Sequence, residues 1–114
     1  KSMYISDDSA SSRLISSNEG IFIKVRDVSE VLDELGIETI DLLKSNIEGA
    51  EYELLNRLIE SHKIKQIKSL QIQYHKDHIK NAEYQRDKIN EKLGVTHINI
   101  WSYYFVWERW DALI

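Results

Sequence analysis

Ile40-Asp41-Leu42-Leu43-Lys44-Ser45-Asn46-Ile47-Glu48-Gly49-Ala50-Glu51-Tyr52 is the stretch whose reading decides the fold. Apolar residues on both parities of residues 40–47 predict a strand buried on both faces, as in a parallel sheet. Glu48-Gly49 predicts a turn. Beyond it Glu51, Leu54, Leu55, Leu58, Ile59 and His62 define one face of a longer helix, apolar through its middle. A buried strand turning directly into an amphipathic helix belongs to α/β architecture.

Working toward the N-terminus, Ile21-Phe22-Ile23-Lys24-Val25 is rich in β-branched and aromatic residues and predicts a strand. Asp27 is placed to cap the helix that follows, with Glu30 completing a capping box. Val28, Val31, Leu32 and Leu35 repeat at helical spacing, and Gly36 suits the position just past the end. Further out, Met3-Tyr4-Ile5 predicts a short strand, and residues 6–12 have the chemistry of a loop.

Toward the C-terminus, Ile67–Tyr74 alternates apolar and polar residues and predicts a strand with one wetter face. A polar helix is expected from about Ile79 to Leu93, anchored by Ala82, Ile89 and Leu93 and stopped by Gly94. Residues 98–101 and 103–107 then predict two strands joined by a tight turn near Ser102. The order strand-helix-strand-helix-strand-helix-strand-strand implies an α/β sheet with parallel crossovers and an antiparallel end.

The 114 residues suit one domain, and 42% hydrophobic against 30% charged is an ordinary globular balance. Fifteen Lys+Arg against nineteen Asp+Glu leave a net charge of −4 with the signs interspersed. This argues against nucleic acid as a partner, which needs a clustered basic face. The basic run at residues 62–68 is read as a solvated helix end. Cysteine is absent, which excludes disulfides and thiolate chemistry and fits a reducing compartment. No apolar run is long enough to cross a bilayer, so no membrane partner is expected and the expected location is cytoplasmic. The first residue is Lys, and the chain reads as an internal piece of a longer polypeptide.

The central stretch resembles the signature of the FkbM-type S-adenosylmethionine-dependent methyltransferases, in which a buried strand ends in Lys-x-Asp/Asn-x-Glu-Gly-x-Glu and turns into a helix. Lys44, Asn46, Glu48, Gly49 and Glu51 match it position by position, with Asn46 where many members carry Asp. Gln73-Tyr74-His75 is similar to an aromatic-His pair after the next strand, and Leu93–His97 with Trp101–Trp110 is similar to the C-terminal end of an Asn-type subgroup. The resemblance implies the C-terminal part of a Rossmann-like class I methyltransferase sheet, with parallel strands and a terminal antiparallel hairpin. Residues 1–114 would then form a partial domain whose N-terminal cofactor-binding half is absent. Such enzymes carry an early Gly-x-Gly loop, whereas the glycines here are Gly20, Gly36, Gly49 and Gly94, widely scattered.

By the same resemblance the cofactor is S-adenosyl-L-methionine and the acceptor a hydroxyl on a glycan or other small metabolite. Ligands of open α/β sheets bind beyond the carboxyl ends of the strands, which locates Asn46, Glu48 and His75. Glu48 and His75 are the catalytic candidates, for acceptor orientation and proton removal, because imidazole titrates near neutral pH. Asn46, an amide and no base, is a candidate cofactor contact. The plainer readings are a first-turn carboxylate favoured by the helix dipole for Glu48 and a turn residue for Asn46. Glu51 is read as structural, paired with Lys44 or solvated. A His75/His78 metal pair would need a third ligand such as Asp77, and no metal is expected. His97 is read as a hydrogen-bonded structural histidine. Trp101, Tyr104, Trp107 and Trp110 fit either a sugar platform or, for most of them, the core. Ser11 and Ser12 are loop serines that could flank the acceptor. The rival reading is a truncated, non-catalytic interaction domain whose apolar strand at residues 40–47 forms an exposed sheet edge and pairs with a neighbouring chain or with the missing half.

Overall fold

In a computed structural model, which describes residues 2–5, 14–15 and 21–113, the chain forms two sheets and three α-helices. β1 (Ser2–Ile5), β2 (Leu14–Ile15) and β3 (Ile21–Lys24) pair antiparallel in the order β2-β1-β3. The strand expected around residues 21–25 therefore pairs with the N-terminal strand instead of entering the main sheet. The loop expected at residues 6–12, with Ser11 and Ser12, lies outside the described residues, as does Gly20.

α1 (Val28–Glu34) starts where the sequence places it, with Asp27 accepting a hydrogen bond from the Ser29 N–H at 2.9 Å. Its end is a Schellman turn: Gly36, at φ +65°, and Ile37 donate back to the carbonyls of Asp33 and Leu32. β4 is shorter than expected, Leu43–Ser45, with Ile40 making only an isolated parallel bridge to Ile67. It is not buried on both faces either. Among the described residues it is an edge strand, with Lys44 exposed and Leu42 50% exposed.

α2 (Glu51–Glu60) buries Glu51, Tyr52, Leu55 and Leu58. His62 was expected on that face, but the helix has already ended, and His62 sits exposed in a left-handed conformation. The basic run becomes a 3-10 turn (Lys63–Gln66) that buries Ile64 and exposes Lys65, while Lys63 pairs with Asp33. β5 (Ser69–Ile72) keeps the predicted alternation, with Leu70 and Ile72 buried. α3 (Ala82–Leu93) buries the three expected anchors, Ala82, Ile89 and Leu93, but starts after a left-handed Asn81, later than Ile79. β6 (His97–Tyr103) and β7 (Trp107–Ala112) form the terminal hairpin. Its turn is not at Ser102: Tyr104-Phe105-Val106 make it, with Phe105 at φ +53°. Three residues with strong strand preference hide this turn because none carries the usual turn chemistry.

The main sheet runs β4-β5-β7-β6, with β4 and β5 parallel and the remaining pairs antiparallel. This is a mixed α/β fold in which a parallel pair is followed by an antiparallel hairpin. The register aligns Leu43, Leu70 and Trp110 in one row, and Ser45, Ile72 and Glu108 in the next. These residues face α2 and α3, whose Leu55, Leu58, Ile89 and Leu93 complete one core. The opposite face carries Lys44, Gln71, Arg109, Asp111 and Trp107 and is far wetter.

Candidate active site

β4 and β5 are parallel, and β6 runs in their direction because both flank the antiparallel β7. The segments that follow these strands therefore collect on one rim of the sheet. Asn46 and Glu48 come from the first, His75 and Lys76 from the second, and Tyr104-Phe105 from the third. Among the described residues five non-glycine residues have positive φ, and Glu48, His78, Asn81 and Phe105 belong to this rim; the fifth, His62, follows α2. A left-handed non-glycine residue costs about 1–2 kcal/mol, so this rim concentrates backbone strain, as functional sites often do.

At its centre lies a carboxylate-imidazole-carboxylate array. The His75 Nδ1 is 2.8 Å from Oε1 of Glu51, and its Nε2 is 3.5 Å from Oε2 of Glu48. The two sequence candidates for catalysis are thus brought together, both partly exposed. Glu51 is neither solvated nor paired with Lys44. It is fully buried, accepting the backbone N–H of Gly49 and of His75, each at 2.7 Å. Lys44 instead lies over the Trp107 ring at 5.2 Å. Asn46 is exposed on the rim and is not part of the array.

Gly49 is the hinge of the turn that makes this possible. Its φ is +107°, and a Cβ there would meet Cδ1 of Ile79 at 2.9 Å. The sharp reversal lets Glu51, in the first turn of α2, reach back to the Gly49 N–H while pointing at the segment after β5. From the same turn, the Tyr52 hydroxyl donates to the His75 carbonyl at 2.7 Å.

Beside the array stands a second buried network that the sequence reading missed. Glu108, on the core face of β7, accepts from Arg86 at 2.5 Å, Asn90 at 2.8 Å and the Trp110 indole at 3.1 Å. Asn90 in turn accepts from the Tyr74 hydroxyl at 2.8 Å. Burial works to lower the Arg86 pKa, but the bond and charge of Glu108 outweigh it, and the guanidinium is held more firmly protonated. Burial raises the Tyr52 and Tyr74 phenols well above the ordinary tyrosine range. Strand parity was the available signal: in Trp107-Glu108-Arg109-Trp110, Glu108 shares its face with a buried Trp110.

Lys76 and Arg86 lie over the Tyr104 ring at 5.3 and 4.8 Å, and Lys76 over Phe105 at 4.7 Å. Of the four aromatic candidates, Trp110 is in the core, Trp101 and Trp107 are half-buried and Tyr104 is exposed. His97 is buried and hydrogen-bonded as expected, with Nε2 2.7 Å from the Ile67 carbonyl and Nδ1 2.7 Å from the Thr96 hydroxyl. His78 is exposed, and among the described residues no group of three or more His, Asp or Glu side chains is arranged to hold a metal. Among these residues no helix is long and apolar enough to cross a membrane.

No curated protein and no solved structure matches the chain. The family model described as the methyltransferase FkbM domain matches residues 3–105 of the 114. The matched residues run from the first strand to the turn of the terminal hairpin and include the whole Glu48-Glu51-His75 array; the chain belongs to the FkbM methyltransferase domain family.

Proposed function

We propose that this chain carries the acceptor side of an S-adenosylmethionine-dependent O-methyltransferase, acting on a hydroxyl of a glycan or other small metabolite. The observation that carries this reading is the array itself. An imidazole nitrogen stands at the sheet rim with a partly exposed carboxylate 3.5 Å away. His75 Nε2 takes the hydroxyl proton, and Glu48 orients the hydroxyl and balances the imidazolium that forms. The sheet order β4-β5-β7-β6 supports reading the chain as the C-terminal part of a Rossmann-like sheet.

The described residues do not make a cradle for the adenosine portion. Its usual grip is a glycine-rich turn against a helix N-terminus, and here Gly49 is closed over by Ile79. Asn46, exposed at the end of β4, is the one proposed cofactor contact. The remaining grip is assigned to another part of the polypeptide or to a neighbouring chain. Calorimetric titration of the 114-residue chain with S-adenosylmethionine is expected to give no binding; tight binding would refute this division of labour. In a polypeptide that transfers methyl groups, His75→Gln should lower kcat about 100-fold or more, and the product should be a methyl ether. Transfer to nitrogen or carbon, or undiminished turnover of that variant, would refute the assignment.

A second reading rests on the edge of β4. Among the described residues this strand pairs on one side only, and Leu42 and Ile47 beside it are 50% and 39% exposed. Such an edge invites strand pairing with a neighbour. Sedimentation of the purified chain tests this: a folded monomer at all concentrations excludes it.

A further inference from the structure

We propose that Glu51 is a positioning residue that fixes the His75 imidazole in the tautomer with hydrogen on Nδ1, so that Nε2 is left as the acceptor on the rim side of the ring. The inference rests on the reading of His75 as proton acceptor, but its evidence is independent hydrogen-bond geometry. Glu51 is fully buried, and both its oxygens face backbone donors: Oε2 the Gly49 N–H and Oε1 the His75 N–H. Each oxygen of Glu51 receives a backbone N–H at 2.7 Å, so both are engaged as acceptors. The ring nitrogen 2.8 Å from Oε1 must then be the donor. A neutral imidazole with hydrogen on Nδ1 leaves Nε2 as the acceptor.

The ring is also held in place through its own backbone. The His75 N–H is bonded to Glu51 and its carbonyl to the Tyr52 hydroxyl, two consecutive residues of α2. A flip of the imidazole would exchange a charge-assisted bond for a C–H facing a buried carboxylate. Nε2 is therefore presented to the rim by the same turn that supplies Glu48. Glu51 acts through His75 and meets no acceptor itself, since it has no exposed surface.

The test is the imidazole tautomer, read from two-bond nitrogen-proton correlation spectra of the labelled full chain, at a pH where the ring is neutral. His75→Gln assigns the signals. The expected wild-type result is the Nδ1–H form of His75 in excess of about ten to one, the ratio a charge-assisted hydrogen bond maintains. In Glu51→Gln the ratio should move toward Nε2–H by about tenfold or more, while His97, whose Nε2 faces the Ile67 carbonyl, keeps its own tautomer and reports an intact fold. If Glu51→Gln does not fold, the wild-type spectrum decides alone. An Nε2–H form in the wild type overturns the proposal, as does an unchanged ratio in a folded Glu51→Gln. Undiminished methyl transfer by His75→Gln in a methyl-transferring polypeptide, with the tautomer as expected, would instead count against the O-methylation reading.

Discussion

Replacing Gly49 with alanine perturbs the turn on which the candidate site is built, and two effects contribute to the cost. At φ +107° an L-residue is strained, with a penalty of about 1–3 kcal/mol. The new Cβ would also stand 2.9 Å from Cδ1 of Ile79, a contact no real structure keeps. That atom is the tip of a flexible, half-buried side chain, so a small rotation relieves the overlap for under about 1 kcal/mol. The backbone term is therefore expected to dominate. Urea unfolding of Gly49→Ala should show a loss of about 2–3 kcal/mol at unchanged m-value. Ile79→Val separates the terms because it deletes Cδ1 and nothing else. In that background the Gly49→Ala cost should fall by no more than about 1 kcal/mol, the coupling read from the double-mutant cycle. If Ile79→Val removes the whole cost, sterics and not backbone strain set the requirement for glycine, and the reasoning fails.

Leu55→Ala, at a fully buried position of α2, should cost about 2–5 kcal/mol in the same assay; a change under about 1 would mean the α2-to-sheet packing is wrong. Glu108→Gln keeps the shape but sets an amide N–H2 against the Arg86 donor now 2.5 Å away, and should destabilise by about 1–3 kcal/mol; neutrality would show that the network contributes no stability. The Tyr52 and Tyr74 phenols are raised by burial, whereas the unfolded chain ionises near pH 10. The stability they contribute is thus complete below about pH 10 and declines above it, as the unfolded state loses its protons first. Tyr74→Phe should flatten that decline above about pH 10 by up to about 1.4 kcal/mol per pH unit; an identical alkaline slope would refute the assignment.

Much of this was readable from residue pattern alone, for identifiable reasons. Ala82, Ile89 and Leu93 repeat at helical spacing on a polar helix, and all three are buried because only one stripe of α3 has a core to meet. Glu48 and His75 were placed together because strand ends and loops of a parallel pair must share a rim. Other features escaped because their cause is tertiary. Tyr104-Phe105-Val106 favours extended structure, yet forms the turn where Lys76 and Arg86 gather over the rings. Leu42 and Leu43 read as doubly buried because hydrophobicity records what a strand can tolerate, not whether a neighbour is present. Glu51 is read from the sequence as paired with Lys44 or solvated; its burial depends on backbone donors from Gly49 and His75, the latter 24 residues away.

The left-handed residues of the rim bear on how this protein can change over time. Glycine at position 48, 78, 81 or 105 would adopt the same backbone without the steric penalty a side chain brings. Relief of that strain makes the replacements at 48, 78 and 81 candidates for a more heat-resistant protein, even as Glu48→Gly deletes a proposed functional group; Phe105→Gly would give up a ring packed against the core and lying beneath Lys76. Selection for stability alone would thus push positions 48, 78 and 81 toward glycine, and selection for activity would hold them back. Among natural or laboratory-evolved descendants, glycine at several of these positions together would mark lineages in which the rim has been released from its task.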